Sequence, residues 1–421
     1  MGFIDLGEIT GTDPEPATAS LWERWRRRAM VFGVAAVTLL ACGAAETVRE
    51  PPLHEVFSVP STSHGRSDQQ LVIDGDTLFR VYREGPTTYL ARYDLAHHGR
   101  LAWRVQVDAS VVGSLLLEGR WLLVQRYPGG PQGASVLTPT TMVFDAGTGA
   151  ALWSTPGFLF ARLGEDKGLF SQGTVLVGID LASGRELWRR PQPEGGAALV
   201  GGSTPVAPWR IALTEGSTLR IVDLETGAVL RSREVGGDQG GAERFGGLFA
   251  TPDALVLRRG PMYATYDPDT LEQLWTWSAP TVAWAMPCGR LLCEMTGPEV
   301  VAVDVRTGER RWSTPAEGLY IVGSILGGPR ADGIRLVDAT TGRKLLDLGR
   351  WVPLPGPRGP ADRIAVSGIF AGDDWVGVAD VPTGRIRSLG NLPGAGDERC
   401  VASDKYLVCT LISEKLTGWS F

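Results

Sequence analysis

Residues 143–153 read Val-Phe-Asp-Ala-Gly-Thr-Gly-Ala-Ala-Leu-Trp, and the chain repeats this phrase along its length. Residues 178–188 read Gly-Ile-Asp-Leu-Ala-Ser-Gly-Arg-Glu-Leu-Trp, and residues 302–312 read Ala-Val-Asp-Val-Arg-Thr-Gly-Glu-Arg-Arg-Trp. The acids that anchor the copies are Asp94, Asp145, Asp180, Asp223, Asp267, Asp304, Asp338 and Asp380, at a mean spacing of about 41 residues. A period of this size indicates a solenoid, an array or a propeller.

The repeated phrase has the composition of a strand, a tight turn and a second strand. Apolar residues precede each Asp, whose carboxylate is expected to accept backbone N–H bonds in the turn that follows. The Thr or Ser three residues later adds a weaker bond of the same kind. A glycine one residue further on fits a left-handed backbone conformation. These glycines are Gly149, Gly184, Gly227, Gly308, Gly342 and Gly384.

The second strand of the phrase carries a tryptophan in most copies. These residues are Trp103, Trp153, Trp188, Trp275 and Trp312. The copies anchored by Asp223, Asp338 and Asp380 lack the tryptophan, and Leu271 stands where the copy at Asp267 should have glycine. We interpret these departures as imperfect repeats or as places where the packing partner differs.

Short apolar runs separated by turn signals continue from residue 68 to the end. Leu71-Val72-Ile73, for example, is followed by Asp74-Gly75-Asp76 and then by a second apolar run, which predicts a hairpin. No stretch after residue 50 has a helical period of useful length. We therefore predict an all-β fold, a propeller of four-stranded antiparallel blades over residues 67–421.

Eight copies predict eight blades, although seven to nine remain possible. Further strands in residues 399–421 have a natural partner in Val56–Val59, which would close the ring and leave no open edge. With eight blades one copy must be partial. The short step to Asp338 makes that copy the suspect.

The phrase Asp-x-x-[Thr/Ser]-Gly-x-x-x-Trp resembles the repeat of the PQQ-like β-propeller family. That family includes the quinoprotein alcohol dehydrogenases and the propeller lipoprotein of the outer-membrane assembly machinery. The resemblance covers roughly residues 68–421. It implies that the five tryptophans pack between neighbouring blades, where a buried indole contributes a large apolar area.

The N-terminus combines a basic block with an apolar run. Residues 1–28 end in Arg24, Arg26, Arg27 and Arg28, and residues 29–45 carry no charge. Such an order predicts a membrane segment with residues 1–28 in the cytoplasm and the rest outside. A lipoprotein signal with Cys42 as the lipidated residue is the alternative to an uncleaved signal anchor, which we prefer. Residues 46–66 are interpreted as a tether.

The remaining four cysteines form two close pairs, Cys288 with Cys293 and Cys400 with Cys409. In an exported protein an even set of cysteines indicates disulfides, and both pairs flank hairpin turns. Three pairings are possible, of which we favour 288–293 and 400–409. Four reduced, buried thiols remain the alternative. The spacing is too wide for the Cys-x₂-Cys pattern of a zinc site.

Composition excludes some functions. The net charge is −6 and the pI is about 5.5, so a nucleic-acid partner is not expected. The His97-His98 pair fits a solvated turn better than a metal site, because no third ligand is nearby. The resemblance also allows a PQQ enzyme, but the chain lacks that family's adjacent cysteine pair.

We therefore predict no catalytic, cofactor-binding or metal-binding residues and no cofactor. The expected function is that of a monomeric, membrane-tethered scaffold outside the cytoplasm, binding a protein or peptide partner in the bacterial cell envelope. A quinoprotein-like oxidoreductase or a small-ligand sensor that uses PQQ is the alternative. The loops around residues 128–135 and 353–357 are candidate contact sites, since recognition residues concentrate on loops.

Overall fold

The computed structural model describes the chain in segments. These are residues 53–60, 70–107, 111–127, 139–163, 166–192, 197–200, 210–235, 247–278, 284–315, 320–322, 325–330, 333–354, 362–370, 373–392, 400–411 and 415–421. Strands and turns account for the regular structure of these residues, and no helix occurs in them. The prediction of an all-β propeller is confirmed.

The strands form four-stranded antiparallel sheets, numbered here along the chain with the innermost strand first. Sheet 1 contains β2 (Gln70–Asp74), β3 (Thr77–Glu84), β4 (Thr87–Asp94) and β5 (Arg100–Val107). Sheet 2 contains β6 (Val111–Glu118), β7 (Trp121–Tyr127), β8 (Thr140–Asp145) and β9 (Ala151–Pro156). Sheet 3 contains β10 (Phe158–Leu163), β11 (Lys167–Gln172), β12 (Val175–Asp180) and β13 (Glu186–Pro191).

Sheets 4 to 6 repeat this order. Sheet 4 contains β14 (Ala197–Val200), β15 (Arg210–Glu215), β16 (Thr218–Asp223) and β17 (Val229–Glu234). Sheet 5 contains β18 (Gly247–Ala250), β19 (Leu255–Arg259), β20 (Met262–Tyr266) and β21 (Gln273–Ser278). Sheet 6 contains β22 (Trp284–Cys288), β23 (Leu291–Met295), β24 (Glu299–Asp304) and β25 (Arg310–Pro315).

Sheets 7 and 8 follow the same plan. Sheet 7 contains β26 (Tyr320–Val322), β27 (Ile325–Arg330), β28 (Gly333–Asp338) and β29 (Lys344–Gly349). Sheet 8 contains β30 (Val352–Pro353), β31 (Arg363–Phe370), β32 (Asp373–Asp380) and β33 (Arg385–Asn391). The copy anchored by Asp338 is thus a complete sheet, and the expectation that it is partial is wrong.

Sheet 9 joins the two ends of the ring. Its order is β34 (Cys400–Ala402), β35 (Tyr406–Thr410), β36 (Lys415–Ser420) and, outermost, β1 (His54–Pro60). The described residues therefore hold nine four-stranded sheets, one more than the eight blades expected. Each of the eight Asp copies builds a full sheet, and the ninth is assembled from the termini without an Asp turn. β1 lies inside residues 46–66, which the sequence assigned to a tether.

A separate apolar cluster lies between each pair of neighbouring sheets, which shows that the ring is closed. Sheets 8 and 9 share Leu354, Val376 and Trp419, among others. Sheets 9 and 1 share a cluster in which Phe57 and Val408 meet residues of β3 and β4. Seven further clusters connect the remaining neighbours in chain order.

A β-bulge precedes the repeat tryptophan in the outer strand. In sheet 3, Gly178 pairs with Trp188 and Ile179 with Glu186, so Leu187 is the extra residue. The same shift occurs in sheets 1, 2, 4, 5, 6 and 7. Since a bulge redirects the side chain beside it, the shift aims the tryptophan toward the next sheet.

The membrane segment predicted at residues 29–45 and the lipidation candidate Cys42 lie outside the described residues. Within the described segments, no helix is long and apolar enough to cross a membrane.

Candidate functional site

The repeat aspartates are acceptors in their own turns. In sheet 2, Asp145 Oδ1 accepts hydrogen bonds from the backbone N–H and the hydroxyl of Thr148, at 2.8 and 3.0 Å. The Gly149 N–H donates to the carbonyl of Asp145 at 2.8 Å. The same three bonds recur at Asp180, Asp223, Asp267, Asp338 and Asp380. Two further turns follow close variants, at Asp94 with His97 and at Asp304 with Thr307.

These bonds stabilise the ionised carboxylates. The pKa of Asp145 is lowered by the hydrogen bond from the Thr148 backbone, and that of Asp267 by the bond from the Thr270 backbone. The Thr383 hydroxyl lowers the pKa of Asp380 in the same way. Donors aimed at a carboxylate favour its charged form. The acids of the repeat thus stabilise the turns through hydrogen bonds that they accept within them.

Each repeat tryptophan lies against the turn glycine of the next sheet. A Cβ placed on Gly149 would come within 2.7 Å of the Trp103 ring, and one on Gly227 within 2.8 Å of Trp188. The remaining pairs are Trp153 with Gly184, Trp275 with Gly308 and Trp312 with Gly342. We call each such contact an indole slot. The glycine is required twice, by its positive φ and by the close approach of the ring.

Most of the indoles also donate a hydrogen bond across the slot. Trp153 Nε1 donates to the carbonyl of Leu181 and Trp188 Nε1 to that of Leu224, both at 2.8 Å. Trp275 Nε1 donates to Val305 at 2.7 Å, and Trp103 Nε1 reaches the carbonyl of Gly147 at 3.1 Å. Trp312 Nε1 is buried and has no hydrogen-bond partner within the described residues. Each donor joins one sheet to the turn of its neighbour.

The contact between sheets 4 and 5 reverses this arrangement. Arg231 stands at the tryptophan position of sheet 4 and is exposed. Leu271 stands at the glycine position of sheet 5, where it keeps the positive φ of 59° and is 1 % exposed. Its side chain packs in the cluster that contains Leu219 and Ile221. Sheet 5, and not sheet 4, therefore supplies the large side chain that fills this contact.

The contact that closes the ring, between sheets 9 and 1, has the geometry of an indole slot with a phenylalanine in place of the tryptophan. Phe57 of β1 takes the place of the tryptophan, and Gly99 of sheet 1 takes the place of the turn glycine, with a φ of 64°. The ring of Phe57 also lies against Gly418 of β36. A phenylalanine without the surrounding phrase is not recognisable in the sequence as part of the repeat.

One buried acid lies between sheets 5 and 6. Glu294 of β23 is 5 % exposed, and its Oε1 accepts a hydrogen bond from Trp277 Nε1 at 3.0 Å. Trp277 stacks between Trp275 and Tyr263, with ring centroids 4.0 and 4.6 Å away. Burial raises the pKa of Glu294, against the bond from Trp277 and the charge of Arg258. Its only sequence signal is the spacing of Trp277, two residues after the repeat tryptophan.

Both predicted disulfides are present. Cys288–Cys293 closes the hairpin between β22 and β23, and Cys400–Cys409 joins facing residues of β34 and β35. All four cysteines are buried within their sheets. They do not supply the adjacent pair that the resemblance associates with PQQ, so these cysteines do not fit that cofactor. In the described residues, no group of three or more His, Cys, Asp and Glu side chains could hold a metal ion.

The two faces of the ring differ in their chemistry. The Asp-turn face carries the repeat turns together with the turns between first and second strands, because each Asp pairs with the start of a second strand. Ion pairs join neighbouring sheets there. They are Lys167–Glu225 at 2.8 Å, Arg210–Asp269 at 2.6 Å, Arg290–Asp253 at 2.5 Å and Lys405–Asp76 at 3.2 Å.

The connector face carries the turns between second and third strands and the connections from sheet to sheet. Large apolar side chains are exposed at this end of the strands, namely Tyr127, Phe158, Met262 and Ile369. Ile369 is 66 % exposed, more than any other large apolar residue in the described segments. Exposed apolar side chains of this size are typical of interaction surfaces when they cluster on one face.

The strands that precede the two loops predicted as contact sites end at opposite faces. The segment 128–138 connects β7 to β8 and therefore leaves from the connector face. The segment after Pro353 connects β30 to β31 and leaves from the Asp-turn face. Residues 128–138 and 355–361 themselves lie outside the described residues. His97 Nδ1 lies 2.8 Å from Asp94 Oδ2, within the repeat turn of sheet 1.

Solved structures with this fold have little sequence identity to the chain. BamB from Moraxella catarrhalis is 17% identical over 88% of this chain and 100% of its own, with a TM-score of 0.44. A europium-containing methanol dehydrogenase is 12% identical over 77% of this chain and 84% of its own, with a TM-score of 0.42. A eukaryotic initiation factor is 11% identical over 82% and 90%, with a TM-score of 0.49. A shared fold at such low identity does not indicate a shared function.

No curated protein sequence matches the chain significantly. A family model of PQQ-like repeats, described as outer membrane protein assembly factor BamB, matches residues 58–265 and 172–345. These two matches together span more than half of the chain. The repeat turns from Asp94 to Asp338 and the five tryptophan slots fall within the same region. The chain therefore belongs to the PQQ-like repeat family whose model carries that description.

Proposed function

We propose that this protein is a non-catalytic, protein-binding scaffold of the bacterial cell envelope, held outside the cytoplasm by residues 29–45. One observation carries the proposal: the chemistry-bearing side chains of the repeat are used to build the ring. All eight repeat aspartates accept hydrogen bonds within their turns, and the repeat tryptophans lie against neighbouring turns. A rigid ring built in this way presents its loops and rims for recognition.

The family supports a protein partner. Its model is described as an outer membrane protein assembly factor, which names a role in protein assembly at the envelope. The two disulfides support export, because such bonds persist in oxidising compartments. An uncleaved signal anchor at residues 29–45 remains our preferred means of attachment, with lipidation at Cys42 as the alternative.

The connector face is the surface we assign to the partner. It exposes Met262 and Ile369, whereas the charges of the Asp-turn face are engaged in ion pairs between sheets. An apolar centre with a polar surround is the usual composition of a protein interface. The loop at residues 128–135 leaves from the same face and is included in the assignment.

Photo-crosslinking in intact cells tests this assignment. A photoreactive amino acid at position 262 or 369 should yield a specific crosslinked protein, to be identified by mass spectrometry. The matched control is position 182, an exposed residue of the turn that begins at Asp180 on the opposite face. Equal crosslinking from position 182 would contradict a preference for the connector face.

Shortening the loop at residues 128–135 provides a second test. We expect the melting temperature to stay unchanged and the recovery of the crosslinked partner to fall. Unchanged recovery would remove the loop from the interface.

Attachment and location are tested by fractionation and protease treatment. We expect the protein in the membrane fraction, with residues 54–421 digested only from outside the cytoplasmic membrane. A Cys42→Ala variant should remain membrane-bound if residues 29–45 are an anchor and should lose lipid labelling and attachment if Cys42 is lipidated. A chain protected until the cells are lysed to expose the cytoplasm would contradict export.

The absence of catalysis is tested with the family's cofactor. Purified protein supplied with PQQ, calcium and a primary alcohol should not reduce an electron-accepting dye. Turnover above the protein-free control would favour the quinoprotein alternative.

A further inference from the structure

The outer strand of sheet 4 differs from the other outer strands of the ring. Every residue of β17 is exposed, whereas each other described outer strand has at least one buried or half-buried residue. Val229 and Leu230 are 42 % and 41 % exposed. β17 therefore forms an exposed rim of polar and apolar side chains, joined to sheet 5 by the hydrogen bond from Arg233 to the carbonyl of Leu271.

The reversed slot explains this exposure. In sheet 3, Trp188 occupies the space over Gly227, and in sheet 7, Leu346 takes the tryptophan position and is buried. In sheet 4, Leu271 of the next sheet already fills this space, so the side chain at position 231 is directed outside. Arg231 at this position is therefore free of a packing role.

Among the described strands, none pairs with the outer edge of the β17 backbone. β17 is the last strand in the order β14-β15-β16-β17. The N–H of Val235 donates to the carbonyl of Ser217 at 2.8 Å, and Arg233 faces Leu219 in the same register. Because hydrogen-bonded positions alternate in an antiparallel pair, the N–H of Ser232 then points away from β16. Such an edge can pair with a further strand.

The rim carries Arg231, Arg233 and one acid, Glu234, whose carboxylate accepts hydrogen bonds from Ser217 and Thr218, so its net charge is positive. Arg231 Nη1 donates to the carbonyl of Leu230, and Arg233 Nη1 donates to that of Leu271. Within the described residues, neither arginine has a carboxylate at ion-pair distance. Several arginines of other outer strands do have one, as in Arg189–Glu186, Arg310–Glu299 and Arg311–Asp304. Arg231 and Arg233 lie on the same side of the strand, two residues apart.

We propose that the outer edge of β17 binds an extended acidic segment of a partner protein by strand addition. The segment carries Asp or Glu at alternate positions, opposite Arg231 and Arg233, and apolar residues between them. Main-chain hydrogen bonds give such a complex its affinity, and the alternating side chains give it specificity. The inference rests on the proposed scaffold function and concerns a surface distinct from the connector face.

Binding of short peptides to the full-length protein in mild detergent tests this inference. The probe is a fluorescent peptide of four Glu-Val repeats, and the matched control has four Lys-Val repeats. We expect fluorescence polarisation to show binding of the Glu-Val peptide alone. Its affinity should fall as salt rises from about 50 to 300 mM, since exposed charges are screened.

Two pairs of variants separate the backbone from the charge. Ser232→Pro removes the outward N–H at an edge position where proline is tolerated, and Ser232→Ala is its control. Arg231→Glu reverses the charge, and Arg231→Lys preserves it. We expect the first member of each pair to weaken binding about tenfold or more, while thermal unfolding stays unchanged. The control members should bind about as wild type does.

Three outcomes would overturn the inference: no binding of the Glu-Val peptide to the wild-type protein, equal binding of the Lys-Val peptide, or unchanged binding by Ser232→Pro. A dimer seen in sedimentation and dissolved by Ser232→Pro would assign the edge to a second copy of the chain instead. The crosslinking from positions 262 and 369 is an independent readout. If it persists while the peptides fail, only the assignment of β17 is lost.

Discussion

The contacts on the two sides of sheet 4 solve the same packing problem in opposite ways. Between sheets 3 and 4, Trp188 is 9 % exposed, lies on Gly227 and donates to Leu224 at 2.8 Å. Between sheets 4 and 5, Arg231 stands outside, and Leu271 fills the contact from the other sheet. The space between two neighbouring sheets must therefore be filled, and either sheet can supply the side chain that fills it.

Placing the filling side chain on the turn residue costs backbone strain, which the arrangement with tryptophan and glycine avoids. Glycine adopts a positive φ freely, whereas leucine in the left-handed region is strained by about 1–2 kcal/mol. Leu271 accepts that strain at a φ of 59° because its side chain is fully buried. The arrangement also releases β17 from packing, which gives this part of the rim a surface that the other sheets lack.

The largest effect is expected from removing the indole of the standard contact. Trp188→Ala should lower the free energy of unfolding by about 3–5 kcal/mol, because a large buried ring and its hydrogen bond are lost. The matched change at the same repeat position, Arg231→Ala, should stay within about 0.5 kcal/mol. Urea unfolding measures both. Similar losses for the two variants would contradict the contrast between the contacts.

The next largest effect is expected from placing a leucine at the turn glycine of the contact between sheets 3 and 4. Gly227→Leu should destabilise the protein by about 2–4 kcal/mol, through overpacking against Trp188 and strain at positive φ. The double variant Trp188→Ala/Gly227→Leu should be more stable than the sum of the single effects predicts, since the cavity accepts the new side chain. Strict additivity in urea unfolding would show that the two positions do not share one space.

The reverse exchange introduces the glycine and tryptophan pair into the contact between sheets 4 and 5. Leu271→Gly should destabilise by about 1–3 kcal/mol, because the loss of a buried leucine is partly offset by relief of backbone strain. Adding Arg231→Trp should restore about 1 kcal/mol or more by rebuilding an indole slot. The measurement is again urea unfolding. A double variant less stable than Leu271→Gly alone would argue that β17 cannot direct a side chain into the contact.

The smallest effect concerns the turn that carries Leu271. The pKa of Asp267 is lowered, chiefly by the backbone bond from Thr270, so its ionised form stabilises the fold. That stability is present above the unfolded pKa of about 3.9 and is lost as pH falls through the lower folded pKa. Asp267→Asn should therefore cost up to about 1 kcal/mol at pH 7 and progressively less below pH 4. An equal deficit at pH 7 and pH 3 would refute a role for the charge.

The sequence predicted the features that depend on a repeated local pattern. The Asp, hydroxyl and glycine of each copy indicated a turn, because each acts on atoms within four residues of itself. The close cysteine pairs were likewise predictable, since both flank a hairpin. The number of sheets was underestimated, because sheet 9 has no Asp turn and takes β1 from the other end of the chain.

Features that depend on contacts between sheets were not predicted. Leu271 could be seen only as a departure from the pattern, since its partner position lies 40 residues earlier, at Arg231. Beyond the spacing of Trp277, the sequence does not indicate that Glu294 is buried, because Trp277, Tyr263 and Arg258 reach it from sheet 5. The exposure of β17 follows from what a neighbouring sheet supplies, and a strand's own sequence does not contain that information.

Because β1 pairs with β36, sheet 9 can be completed only after the last strand of the chain has been synthesised. The hydroxyls of Ser58 and Thr417 lie 3.2 Å apart although 359 positions separate them. During synthesis, the first strand is made long before its only neighbour in the sheet exists. A nascent chain that has reached residue 414 lacks β36, so β1 has no partner and one edge of β35 is unpaired. Premature termination at this point therefore leaves eight sheets complete and the ninth without its two outer strands.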